Sequence, residues 1–248
     1  MNVPTNFVFL HGGGQGSWVW EETIQAIDRQ SGSGSHRALL LDIPGCGRKR
    51  DRVTGNLSVE QVVTELVDDI VRSGLHDIVL VGHSQAGTVL PLLIEARPAL
   101  FRHLVFISCL APLAGQTGLE WIAAMPAAAS ALTTLTSPTD APGRYQAMFC
   151  NDMSPAQTQV FLDKLQKDGW PASFYQTSPW RYDHLSAVPS SYVLCLRDAT
   201  LPPSWQEIFY ERFNARRLVR IDAGHQVMNT RPHALAEILL IEAGIAQD

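Results

Sequence analysis

Residues 79–93 read VLVGHSQAGTVLPLL, and this stretch decides the fold. A short apolar run ending at Val81 meets Gly82-His83-Ser84-Gln85-Ala86-Gly87, and a helical pattern begins at once. A strand that turns into a helix so abruptly leaves its serine on a strained bend, with the hydroxyl projecting beyond the sheet. Backbones crowd at such a bend, so the positions two before and two after the serine must carry almost no side chain. Gly82 and Ala86 meet that need. The helix N-terminus behind Ser84 presents the positive end of its dipole, which favours an anion forming there.

Within this stretch and on either side of it, Asn6–Leu10, Ala38–Leu41, Ile78–Val81, Leu104–Ile107, Tyr192–Leu196 and Leu218–Ile221 read as strands. Apolar runs without alternation suit strands covered on both faces, hence a largely parallel sheet. Between the second and third strands Ser58 and Gln61 form a capping box. Val59, Val62, Val63, Leu66, Val67, Ile70 and Val71 then mark one apolar helix face, ended by Gly74. Strand, helix, strand requires a crossover, and repeated crossovers predict an α/β fold with a doubly wound, mostly parallel sheet. The regular alternation stops after Ser108, and from about Pro112 to Pro189 the chain is alanine-rich and punctuated by Pro and Gly. One helix is expected there, with Ser154 as cap, Pro155 in its first position and Gln157 completing the box, running to Gly169. A structureless loop of that length is implausible. The expected organisation is a core of residues 1–111 and 187–248, with residues 112–186 inserted as a helical cap.

The composition narrows the function. The 248 residues carry 24 acidic and 19 basic side chains, a formal charge of −5, which argues against a nucleic-acid partner. With 46% hydrophobic and 17% charged residues the chain forms a core rather than a disordered coil. No apolar stretch approaches the ~18 residues of a membrane span, and the first residues lack a basic and hydrophobic leader. A cytoplasmic location is therefore expected. Cys46, Cys109, Cys150 and Cys195 lie far apart, so neither a disulfide framework nor a structural metal is expected. The sequence leaves the oligomeric state open, a homodimer being one option.

FVFLHGGGQGSWVW, residues 7–20, supplies the second chemical signal. Glycines after the first strand expose backbone N–H groups, and donors aimed at a developing oxyanion are worth ~2.7–4 kcal/mol each. The N–H groups of Gly13 and Gln85 are assigned to such a hole. A phosphate loop fits less well, because no Lys-Ser/Thr follows the glycines.

A serine needs a base, and the base needs an orienting carboxylate. His225, in DAGH after the last strand, is the best placed of eight histidines. His11 and His83 lie too close to the turns, His36, His76, His103 and His233 sit at element ends, and His184 in the insertion could reach the pocket. Asp198, at the end of YVLCLRD, is preferred as the acid over Asp222, since sites on open α/β sheets gather at strand C-termini. Gly12, His11, Trp121, Met125, Phe149, His184 and Met228 are the candidate pocket residues. The order Ser84, Asp198, His225 points to acyl transfer without metal or cofactor.

HGGGQGSWVW, LLLDIPGCG, GHSQAG, MFCNDMSPAQ, YVLCLRDATLPPSWQ and IDAGHQVMNTRP together resemble the α/β-hydrolase superfamily, in its small-capped esterase branch related to plant methylesterases and hydroxynitrile lyases. The resemblance implies Ser84 as nucleophile, His225 as base and Asp198 as its partner. Met and aromatic side chains in the inserted segment favour a small carboxylic ester with an apolar or aromatic group. Two departures bear on the reaction. The lyases carry threonine after the first-strand histidine and lysine after the catalytic histidine, where this chain has Gly12 and Gln226. Without an ammonium beside the base a leaving cyanide lacks its stabilising charge, so hydrolysis is expected over lyase chemistry. A receptor with an idle triad is the other alternative.

Overall fold

This computed structural model describes residues 4–32, 34–123, 141–165 and 169–244, and among them six strands alternate with helices. They are β1 (Thr5–Leu10), β2 (His36–Leu41), β3 (Ile78–His83), β4 (Phe101–Ile107), β5 (Ser190–Cys195) and β6 (Arg217–Ile221). All pair in parallel in the order β2-β1-β3-β4-β5-β6. The chain winds outward from β1 to the β2 edge, then returns to β3 and winds the other way. The β1/β3 junction is therefore the switch point where loops diverge and open a crevice.

Both faces of the central strands are covered, as the unalternated runs predict, whereas the edge strands β2 and β6 are partly exposed because each has a neighbour on one side alone. Phe7, Phe9, Val79, Val81, Val105, Ile107 and Val193 face α1 (Glu21–Ser31) and the C-terminal helix Pro232–Glu242. Val8, Leu10, Ile78, Leu80 and Leu104 face α2 (Val59–Arg72) and α3 (Leu90–Ala96). The capping box on α2 is present in both directions, with Ser58 Oγ accepting from Gln61 N–H and Gln61 Oε1 from Ser58 N–H. Val71 departs from the expected apolar face and is 54% exposed. It is the last of the series and rotates past the contact with the sheet.

The stretch between β4 and β5 carries α4 (Gly118–Ala123), α5 (Ala141–Phe149), α6 (Pro155–Lys164) and the short α7 (Ser173–Gln176). The capping box predicted at Ser154 and Gln157 forms. The helix ends at Lys164, short of Gly169, and its buried side chain is Phe161, whereas Val160 is exposed. Beyond β5 follow α8 (Pro203–Arg212), α9 (Val227–Thr230) and α10 (Pro232–Glu242). All four cysteines are buried and unbridged. Among the described residues no helix is long and apolar enough to cross a membrane.

Candidate active site

Strand register places the site before any side chain is considered. Leu10 pairs with Gly82, so the loop His11-Gly12-Gly13 and the turn holding Ser84 leave the sheet side by side. His83 pairs with Ile107, which sets Ser84 beside Ser108. Cys195 pairs with Ile221, and Asp198 and His225 lie just beyond those strand ends.

Ser84 follows β3 at φ 55°, in the left-handed region where a side chain costs about 1–2 kcal/mol. The turn Ser84–Thr88 is a tight 3-10 segment rather than the first turn of an α-helix, and α3 begins only at Leu90. Three neighbours must be small. A Cβ on Gly12 would stand 2.9 Å from Ser84 Cβ, one on Gly82 would stand 3.0 Å from Ala86 Cβ, and one on Gly87 would meet the Leu110 carbonyl oxygen at 2.1 Å. Ala86 is tolerated because Gly82 opposite it has no side chain.

Around Ser84 the three separated residues converge. His225 Nε2 lies 3.0 Å from Ser84 Oγ, and His225 Nδ1 lies 2.7 Å from Asp198 Oδ2. With Nδ1–H donating to the carboxylate, Nε2 presents its lone pair to the serine hydroxyl. Asp198 is held from several directions: Oδ1 accepts from the N–H groups of Thr200 (2.7 Å) and Leu201 (2.8 Å). Its Oδ2 also accepts from Ser108 Oγ (2.5 Å) and, at 3.4 Å, from Gln206 Nε2. The rival Asp222 faces outward in an ion pair with Arg197 at 2.6 Å.

The imidazole of His225 is fully buried between two rings, Phe149 at 5.7 Å and His83 at 4.5 Å between centroids. His83 Nε2 donates to the His225 carbonyl oxygen at 2.9 Å. Burial first, and then the neighbouring His225, hold the His83 pKa well below the ordinary 6.5. A histidine that resists its proton only when folded makes the unfolded chain the better proton acceptor. Stability is then complete above about pH 6.5 and declines as the pH falls below it. Between pH 7 and pH 5 the Tm should drop, and His83→Gln, which keeps an N–H donor, should flatten the drop. An equal slope in the variant would refute this origin.

The loop after β1 is set by Asp42, which accepts from Ser17 N–H (2.6 Å), Ser17 Oγ (3.0 Å) and Arg48 Nε (2.8 Å). Burial works to raise its pKa, but these donors outweigh it and the net shift is downward. His11 belongs to the same support. Its Nδ1 donates to Gly12 O at 2.7 Å and its Nε2 accepts from Ile43 N–H at 3.2 Å.

A cavity of about 50 Å³ opens at Ser84, with Gly13, Gly14, Gln85, Leu110, Thr200 and Leu201 on the core side and Tyr145, Met148 and Phe149 from α5. Of the expected pocket residues, Phe149 lines it, and Gly12 lies against Ser84 just behind it. The others are elsewhere. His11 is fully buried in the loop support, and Trp121 packs against Trp205 and Phe209 in a different crevice. His184 bonds the Pro91 carbonyl, and Met228 is a fully buried core residue on α9. Met125 lies outside the described residues. Sequence reasoning passed over Ser108, Gln206 and Tyr145. Ser108 had a signal in its position at the C-terminal end of a buried strand; Gln206 and Tyr145 had none.

Burial pushes the thiols of Cys109 and Cys195 upward, so both stay protonated beside the site. Among the described residues no cluster of His, Cys, Asp or Glu could hold a metal ion.

A family model described as the alpha/beta hydrolase family matches residues 7–238. The chain is 26% identical to a carbendazim hydrolyzing esterase of Nocardioides sp. (strain SG-4G), over 94% of this chain and 98% of that protein. It is 23% identical to Methylesterase 3 of Arabidopsis thaliana, over 94% of each. An extracellular alpha/beta-hydrolase from a Paenibacillus species superposes with a TM-score of 0.78 at 23% identity, covering 96% of this chain and 99% of that one, a likeness of fold.

Proposed function

The chain belongs to the alpha/beta hydrolase family, and from that premise we propose that it hydrolyses a small carboxylic ester through an acyl-enzyme on Ser84. The observation that carries this reading is the pair of contacts made by one imidazole, 3.0 Å to the serine oxygen and 2.7 Å to a buried carboxylate. Ser84 Oγ attacks the ester carbonyl as His225 Nε2 takes its proton. The oxyanion forms against the N–H groups of Gly13 and Gln85, donors fixed in place before the reaction begins. His225 returns the proton to the departing alcohol. Water then attacks the acyl-enzyme, gives its proton to His225, and the acid leaves as Ser84 is reprotonated. Asp198 stays ionised and holds the productive tautomer throughout.

The cavity supports a compact apolar or aromatic ester. Its walls are largely carbon, from Leu110, Met148, Phe149 and Leu201, and none of the lining residues is charged. Met148 can adapt its shape to different groups. Residues 112–186 act in this reading as the cap over the site, and α5 supplies its wall. Relatives named a carbendazim hydrolyzing esterase and Methylesterase 3 support the ester-hydrolase reading.

The direct test is labelling by a fluorophosphonate probe together with turnover of short-chain nitrophenyl esters. One probe per chain, on Ser84, and ester cleavage are expected. A chain that neither labels nor cleaves esters would be a receptor, and one that cleaves a cyanohydrin instead would be a lyase.

A further inference from the structure

The turn between α5 and α6 reaches across to both loops that bring His225 and Asp198 to the site. Asp152 Oδ2 accepts from Gly224 N–H at 2.8 Å. Asn151 Nδ2 donates to the Arg197 carbonyl oxygen at 2.7 Å. Each contact lands on the residue immediately before a member of the triad. We infer that Asp152, seconded by Asn151, is a positioning residue that aims the His225 ring at Ser84 from the inserted segment; this rests on the hydrolase reading above.

Three further observations fit a built contact rather than a chance one. The Asp152 side chain is 1% exposed, and its charge is balanced by Arg197 at 3.8 Å and Arg231 at 3.9 Å. The approach is close: a Cβ at residue 224 would stand 2.5 Å from both Asn151 Oδ1 and Asp152 Oδ1 and would push these side chains away. The opposite side of the same loop is also fixed, since His83 Nε2 donates to the His225 carbonyl and Arg197 N–H donates to Ala223 O at 2.9 Å. The backbone on either side of His225 is thus gripped, once from the β3 turn and once from the inserted segment. Glycine at 224 gives the loop wide conformational freedom, so losing one grip lets the imidazole wander. A misplacement of about 1 Å can cost about a hundredfold in rate.

Asp152 does not line the cavity at Ser84, so its effect belongs in kcat rather than KM. In Asp152→Ala, kcat on a nitrophenyl ester should fall about 10- to 100-fold while KM changes by less than about threefold. Asp152→Asn keeps an acceptor oxygen for Gly224 N–H and should restore kcat to within about threefold of wild type. Fluorophosphonate should still label one serine per chain in Asp152→Ala, but more slowly. Wild-type kcat in Asp152→Ala, or an Asn variant as poor as the Ala variant, overturns the inference. If Asp152→Ala does not fold, Asn151→Ala decides, because Asn151 is exposed: its kcat should fall with KM unchanged, and an unchanged kcat overturns the inference. A wild-type chain that fails to label at Ser84 sinks the hydrolase reading and this inference with it. A labelled wild type with an undiminished Asp152→Ala sinks the inference alone.

Discussion

Ser84→Ala is expected to lower ester turnover by about 10⁴- to 10⁶-fold, the scale on which a lost nucleophile registers in serine hydrolases. The variant removes a single oxygen, the atom 3.0 Å from His225 Nε2. Alanine tolerates φ 55° no worse than serine does, because the strain comes from Cβ, which both residues have. The fold should therefore survive, with a urea midpoint close to wild type. What remains in activity would come from the N–H groups of Gly13 and Gln85 and from binding alone. The measurement is kcat on a nitrophenyl ester beside a denaturation curve on the same preparation. Retention of more than a tenth of the activity in a folded variant would exclude Ser84 as nucleophile.

Asp198→Asn should cost about 10⁴-fold in kcat while leaving the geometry nearly unchanged. The reason lies in how the carboxylate is held. Its Oδ1 accepts two backbone N–H groups, from Thr200 and Leu201. In the variant the amide oxygen must occupy that position, since an NH₂ group facing two N–H donors would leave all three without acceptors. The amide nitrogen is then forced into the place of Oδ2, 2.7 Å from His225 Nδ1. Two donors cannot share that contact, so Nδ1 becomes the acceptor and the ring proton moves to Nε2. A ring carrying its proton at Nε2 cannot take one from Ser84. Ser108 can turn its hydroxyl to accept from the new amide, so the site stays packed although the hydroxyl hydrogen loses its carboxylate acceptor. The expected result is a stable, well-folded chain that reacts slowly with both ester and fluorophosphonate. A kcat within tenfold of wild type would remove Asp198 from the triad and bring Asp222 back into contention.

The three side chains that converge at Ser84 are legible in the sequence because they sit at ends of apolar runs. Ser84, Asp198 and His225 each follow a strand core. The pocket was read poorly by comparison. The chemistry of Trp121, His184 and Met228 suits a pocket wall, but large aromatic and thioether side chains fill a core more often than they face a cavity. Trp121 packs on Trp205 and Phe209, Met228 is wholly enclosed, and His184 ends on a backbone carbonyl. Tyr145 and Met148 come from a helix with no strong apolar stripe, so nothing in their spacing announced which face meets Ser84.

The amino-acid order alone sets the parallel sheet, the sharp turn at Ser84 and which residues stand at the strand ends around it. These are set by local rules: apolar runs, capping boxes, and glycine where backbones crowd. The tertiary structure alone decided which donors surround Asp198, which ring lies on His225 and which turn of the insertion grips the histidine loop. Those contacts join residues such as Asp152 and Gly224, or Ser108 and Asp198, that are far apart in the chain. Their pairing depends on strand register and on how the insertion seats. No local pattern encodes that distance.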